Sequence, residues 1–349
     1  MISTYFLGAC GPQGFHSHYD SLLQELENLT VIKGGSGCGK STFMKKIGAA
    51  AEASGLDVSY ILCSSDPDSL DAVLLPSLSL GFVDGTAPHV LEPALCGGRM
   101  NYLNFGEFYD RQTMLAGETA IRRAQKENAA QYPHVTACLA AADRLLDCVR
   151  ISTQAQEYDE EMDAIAQCLI LSTLIPTGKT PILRHRFLSA VTPKGISFCQ
   201  ETPTATCSKV YVLEDTYLLA PRLLQHLLDK ATAYGHECII CHHPLMPEGQ
   251  PAHLIIPTAG TAFVASSRLC PYSGKSFCRI DLDSTVPPQK KAGLTFCLDT
   301  VEKLLHQAAL HMKEAKRIHD CIEQLCRPYV DFSAVDRLTE KTIRDLFNA

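Results

Sequence analysis

The chain repeats itself, and this constrains its fold more than any single motif does. Phe6-Leu7-Gly8-Ala9-Cys10-Gly11-Pro12-Gln13-Gly14 returns as Phe187-Leu188-Ser189-Ala190-Val191-Thr192-Pro193-Lys194-Gly195, with five of nine positions identical at a spacing of 181. The same spacing carries Pro76 onto Pro257, Phe82 onto Phe263 and Val83 onto Val264. Further on, Ala142 to Asp163 lies on Ala315 to Asp336 at a spacing of 173, so the second copy carries a short deletion. Two copies of one unit are therefore expected, residues 1–178 and 179–349, joined near Pro176-Thr177-Gly178.

Within the first copy the pattern predicts a buried strand over Leu29 to Lys33, a helix over Lys40 to Ser54 and a strand over Asp57 to Cys63. Further strand structure is expected over Ala72 to Asp84, broken at Pro76. Strands alternating with helices imply a parallel sheet with helices on its faces. The character then shifts: residues 107–130, 134–174, 298–326 and 334–347 are Ala-, Leu- and charge-rich at helical spacing. Each half is thus read as an α/β core with an appended helical hairpin, over about 107–175 in the first and 298–349 in the second.

With 349 residues and 46% hydrophobic content, the chain can bury sizeable cores, which excludes a disordered or fibrous protein. A net charge of −7 gives no general reason to bind nucleic acid or an anionic membrane. The amino terminus has no basic stretch leading into an apolar one, and no segment approaches the roughly 18 apolar residues of a membrane span. A cytoplasmic protein is expected, its sixteen cysteines mostly buried thiols.

Chemistry concentrates in Gly34-Gly35-Ser36-Gly37-Cys38-Gly39-Lys40-Ser41, which fits G-x-x-x-x-G-K-[ST] between an apolar strand and the helix start Thr42-Phe43-Met44. Glycines let the backbone turn N–H groups inward around phosphate oxygens, and the helix amino terminus adds its positive dipole end. Gly35, Ser36, Gly37, Cys38, Gly39, Lys40, Ser41 and Thr42 are the expected nucleotide-binding residues. Lys40 would reach the β- and γ-phosphates, and the Ser41 hydroxyl would ligate Mg²⁺. The acidic partner for the metal is Asp84, ending Leu80-Gly81-Phe82-Val83-Asp84; a turn-capping role is the alternative. The second copy is an internal control. At spacing 181 Lys40 falls on Pro221, Ser41 on Arg222 and Asp84 on Ala265, so both elements are lost together and a degenerate pseudo-domain is expected. Asp66 and Asp68, in Cys63-Ser64-Ser65-Asp66-Pro67-Asp68, stand where a group could orient water or accept a proton from an acceptor hydroxyl, or simply shape a turn.

The doubled Phe-Leu-x-Ala-x-x-Pro-x-Gly opening, the glycine loop, Cys63-Ser64-Ser65-Asp66, Asp84-Gly85-Thr86-Ala87-Pro88-His89 and Arg184-His185-Arg186-Phe187-Leu188 together resemble a bacterial family of tandem P-loop proteins, labelled ATPase or nucleotide-kinase-like. The resemblance spans essentially the whole chain. It implies a P-loop NTPase-type sheet in each half and nucleotide binding; Pro221 and Arg222 depart from members that keep both loops.

Other motifs carry less. The loop wording also resembles transporter-type ABC ATPases, and Leu95-Cys96-Gly97-Gly98-Arg99 their signature loop, but no apolar strand ending in Asp-Glu follows. Arg99 is weighed as a phosphate clamp or an exposed turn residue. Cys238-Ile239-Ile240-Cys241-His242 matches C-x-x-C-H, yet adjacent strand positions face opposite ways, which favours a buried strand over haem or zinc. Arg184 and Arg186 are weighed as an arginine finger against a surface role. The basic runs Arg122-Arg123-Ala124-Gln125-Lys126 and Lys313-Glu314-Ala315-Lys316-Arg317 read as solvated faces or surfaces for a protein partner. The expectation is a Mg²⁺-dependent ATPase, ATP or GTP being its nucleotide. A small-molecule kinase and a nucleotide-gated scaffold with negligible turnover are the alternatives, and the oligomeric state is left open.

Overall fold

The computed structural model describes residues 1–88, 90–91 and 99–347. In the first copy the elements run β1 (Ile2–Tyr5), β2 (Gly8–Gly11), β3 (Gly14–Ser17), α1 (Leu22–Glu25), β4 (Asn28–Lys33), α2 (Lys40–Ala53), β5 (Val58–Leu62), β6 (Leu70–Leu75), β7 (Leu80–Asp84) and β8 (Met100–Asn104). Helices α3 (Arg111–Ala129), α4 (Tyr132–Ser152) and α5 (Gln156–Thr173) complete it. The second copy repeats the order as β9 (Ile182–Arg186), β10 (Ser189–Thr192), β11 (Gly195–Phe198), α6 (Thr202–Thr206), β12 (Lys209–Glu214), α7 (Ala220–Ala233), β13 (Glu237–Cys241), β14 (His253–Ile256), β15 (Thr261–Ser266) and β16 (Cys278–Asp281). It ends with α8 (Pro288–Cys326) and α9 (Phe332–Phe347).

Each copy builds a six-stranded sheet, in the order β1-β5-β6-β7-β4-β8 and, correspondingly, β9-β13-β14-β15-β12-β16. The protein is a mixed α/β molecule of two domains. The sheets are mostly parallel, with one correction to the fully parallel expectation: β6 and β14 run antiparallel to both neighbours. Short connections on either side of β6, through residues 63–69 and 76–79, leave no room for the crossover a parallel pair needs. The strands β1 and β8 and the β2–β3 hairpin add to those the sequence pattern predicts.

The copies meet about a local two-fold. Phe6 donates its N–H to the Phe187 carbonyl at 2.9 Å, and Phe187 donates back to the Phe6 carbonyl at 2.9 Å. These residues occupy the same place in the repeat, so the contact is self-complementary, as in a symmetric dimer. On the sheet faces turned away from α2 and α7, Leu29, Val31 and Val83 share one core with Val210, Val212 and Val264.

The helices modify the expectation of a hairpin appended to each half. Residues 134–174 divide at Thr153 into α4 and α5, and α8 begins ten residues before Leu298, forming one 39-residue helix against both α3 and α4. The last helix of each copy crosses to the other. Tyr158, Met162, Ala166 and Ile170 of α5 enter a core with Leu223, Leu224 and Leu227 of α7. Val335 of α9 enters the core of Phe43, Met44 and Ile47 of α2. A polar side-chain contact marks each crossing at equivalent positions: the Lys46–Asp336 ion pair at 2.7 Å and His226 Nδ1 with Asp163 at 3.0 Å. Among the described residues, no helix is long and apolar enough to cross a membrane.

Candidate functional site

The glycine loop occupies residues 34–39, between the carboxyl end of β4 and the start of α2. Its course depends on Gly37 and Gly39, at φ +73° and +93°, where a side chain would be strained. At Gly37 a Cβ would also come within 3.1 Å of the Glu323 carbonyl oxygen, because α8 of the second copy lies against the loop. Cys38 is buried and donates its thiol to the Gly35 carbonyl at 3.0 Å, while burial raises its pKa. The Tyr109 hydroxyl donates to the Ser36 carbonyl at 2.8 Å and braces the loop from outside. Gly35 and Thr42 are exposed.

Lys40, first residue of α2, folds back so that its ammonium donates to the carbonyls of Gly34 and Gly35 at 3.0 and 2.9 Å. It lies 3.6 Å from Asp84 Oδ2. Asp84 ends β7, paired in parallel with β4 at Ile32, so strand register sets the spacing of loop and carboxylate. The other oxygen of Asp84, Oδ1, accepts from the Thr86 N–H at 2.9 Å and the Thr86 hydroxyl at 2.6 Å. Ser41 Oγ accepts from the Leu70 N–H at 2.9 Å, which ties the 63–69 connection to the first turn of α2. Asp66 lies in that connection and accepts from the Ser69 hydroxyl at 2.9 Å. Lys40, Ser41, Asp84 and Asp66 thus share the carboxyl edge of one sheet, and β5, which leads to Asp66, runs in the same direction as β4.

The second copy fills the corresponding place with its own carboxylate. Helices α2 and α7 both have fourteen residues but start 180 apart, so its loop is one residue shorter. Lys40 is therefore matched by Ala220 and Ser41 by Pro221, one place off the uniform spacing of 181. Buried Asp215, opposite Gly34 at strand spacing, accepts from the amides of Leu219 and Ala220 at 2.7 and 2.9 Å. Burial pushes its pKa up to about 7 against the pull of those amides. Arg222 pairs with Asp159 of α5 at 2.6 Å and serves the crossing of helices. In α2 the cap residue, Gly39, has no side chain to close the helix start.

Several residues of this edge carry no linear signal. Lys33 donates to the Gly85 carbonyl at 2.8 Å. Lys194, at the β10–β11 turn, pairs with Asp68 at 2.7 Å, and Lys316 of α8 lies 3.4 Å from Asp66. Only the fold could have found these last two, since they come from the other copy.

Other expected residues lie elsewhere. Arg186 is buried and donates to Glu25 Oε1 at 2.8 Å, and Arg184 pairs with Glu237 and lies 3.5 Å from Glu25. Arg186 and Arg184 both meet Glu25 across the junction of the copies, and Arg184 also pairs with Glu237 of its own copy, so neither is an arginine finger and the buried Arg186 has no surface role either. Arg99 is exposed ahead of β8; His89 and the stretch from Leu95 to Gly98 lie outside the described residues. Cys238 and Cys241 enter different cores on opposite faces of the second sheet. Among the described residues no group of three or more His, Cys, Asp or Glu is placed to hold a metal, and every cysteine is a free thiol. Arg122 and Arg123 form exposed pairs with Glu118 and Glu127 along α3. Comparison with protein-family profiles, with curated proteins and with solved structures finds no match for this chain.

Proposed function

We propose that the protein binds a purine nucleoside triphosphate, ATP before GTP, with Mg²⁺ at the Gly34–Ser41 loop and hydrolyses its γ-phosphate, the second copy being a non-binding pseudo-domain. This reading takes each sheet as a P-loop NTPase-type unit and places the protein in the cytoplasm. The observation that carries it is the convergence of Lys40, Ser41 and Asp84 on one edge of parallel strands β4 and β7, beside a helix start with no side-chain cap.

The loop amides and the amino terminus of α2 would hold phosphate oxygens, and Lys40 would compensate charge between the β- and γ-groups. Asp215, a carboxylate on two amides at the equivalent point of the other copy, supports anion binding at this turn. Ser41 and Asp84 are hard oxygen donors of the type Mg²⁺ takes together with phosphate, and Thr86 fixes the carboxylate's orientation. Mg²⁺, when bound there, would neutralise charge on the phosphate oxygens.

The test follows γ-labelled ATP with Mg²⁺ in wild type and Lys40→Ala, with a metabolite fraction in a parallel tube. Free phosphate lost in the variant supports hydrolysis. Label on a metabolite would replace that reading by the kinase, and binding without release by the scaffold. Absence of binding would overturn all three.

A further inference from the structure

The basic run at residues 313–317 is not merely a solvated face. Helix α8 crosses the open side of the site: Glu323 backs onto Gly37, and one face of the helix continues through Asp320 to Lys316. From Lys316 to Glu323 is about 10 Å of helix, so α8 reaches the glycine loop with one residue and the Asp66 connection with the other. Lys316 Nζ donates to Asp320 at 2.6 Å and lies 3.4 Å from Asp66 Oδ2. Asp66 in turn is joined through Ser69 and Leu70 to Ser41. Lys316 is therefore connected to the proposed metal ligand through three polar contacts, Lys316–Asp66, Ser69–Asp66 and Leu70–Ser41.

The charges along α8 agree with this placement. His319 chiefly, against the opposing effect of burial and with smaller help from Lys316 and Lys40, holds the Glu323 carboxyl below its ordinary range. Burial opposes the charge on Lys316, but Asp320 and Asp66 outweigh it and raise its pKa. Asp66 is thereby occupied in holding an ammonium, which is a different task from accepting a proton. Arg184 and Arg186 are held elsewhere, and Lys194 is spent on Asp68 at the exposed rim.

Resting on the nucleotide reading above, we propose that Lys316 is a γ-phosphate ligand contributed by the second copy, positioned by Asp66 and Asp320. The pseudo-domain then acts as a built-in subunit: having lost its own loop, it completes the site of the first copy and distinguishes triphosphate from diphosphate.

The test compares affinities for ADP and for a non-hydrolysable ATP analogue, both with Mg²⁺, in wild type, Lys316→Ala, Lys316→Arg and Lys313→Ala, the last an exposed lysine on the same helix. A lost charge-assisted contact predicts about a tenfold fall in analogue affinity for Lys316→Ala with ADP affinity unchanged. Lys316→Arg should recover most of the fall, and Lys313→Ala should match wild type. An unchanged ratio of the two affinities in Lys316→Ala, or an equal fall for both ligands, overturns the assignment while leaving nucleotide binding intact. Wild type that binds neither ligand overturns the nucleotide reading and this inference with it.

Discussion

Replacing Glu25 of the first copy by Gln would remove the charge that holds the second copy's Arg184 and Arg186 at the junction. The side chains of Arg186 and Glu25 are only 5% and 7% exposed. Burial works against the guanidinium charge of Arg186, and Glu25 more than restores it. The variant leaves a buried cation facing one neutral carbonyl, and breaking a buried pair from one side costs about 3–5 kcal/mol. Unfolding entropy of about 2.1 cal/mol/K per residue, over 349 residues, gives about 0.7 kcal/mol/K, so Tm should fall by about 4–7 °C. Calorimetry at neutral pH measures this. The same scan on Glu25→Leu with Arg186→Met should recover most of the loss, since neither charge remains to be desolvated. A fall below about 1 °C for Glu25→Gln would refute the reasoning. Two separate transitions would refute the shared core joining the sheets.

Two further predictions concern the loop and acid. Gly37→Ala meets both a positive φ and the Glu323 backbone, whereas Gly55→Ala meets a positive φ of +76° with open space. Strain alone costs about 1–2 kcal/mol, so Gly37→Ala should destabilise by more than Gly55→Ala in chemical unfolding; equal losses would mean α8 does not press on the loop. Buried His242 and His253 have pKa values lowered to about 4 and about 3, by burial first and neighbouring histidines second. Below pH 6.5 the unfolded chain takes up protons that these folded histidines refuse, so their contribution to stability falls as pH drops towards 4. The slope approaches about 1.4 kcal/mol per pH unit for each residue. Unfolding of His242→Gln and His253→Gln across that range should give a shallower dependence than wild type, and an unchanged slope would contradict it.

Much of the architecture was legible because it is written twice. The spacing of 181 already marked Phe6 and Phe187 as equivalents, and in the fold they bond reciprocally. Strand, loop and helix from Leu29 to Ser54 were legible because apolar alternation, clustered glycines and a helix start coincide. The exchange of α5 and α9 was not, because an amphipathic pattern records that a face is buried and not against what. The one-residue shortening of the second loop was hidden for a similar reason: a uniform spacing ignores a gap that only the helix starts reveal. Lys316 was weighed as part of a solvated face or a surface for a protein partner because Asp66, which it meets in the fold, lies more than 240 residues away.

The most direct test of the account is the number of Mg·ATP molecules bound per chain, by isothermal titration calorimetry on wild type and Lys40→Ala. One site per chain in wild type and none in the variant is the predicted result. Two sites per chain would contradict the assignment of the second copy as closed by Asp215, and undiminished binding in Lys40→Ala would contradict the assignment of the glycine loop.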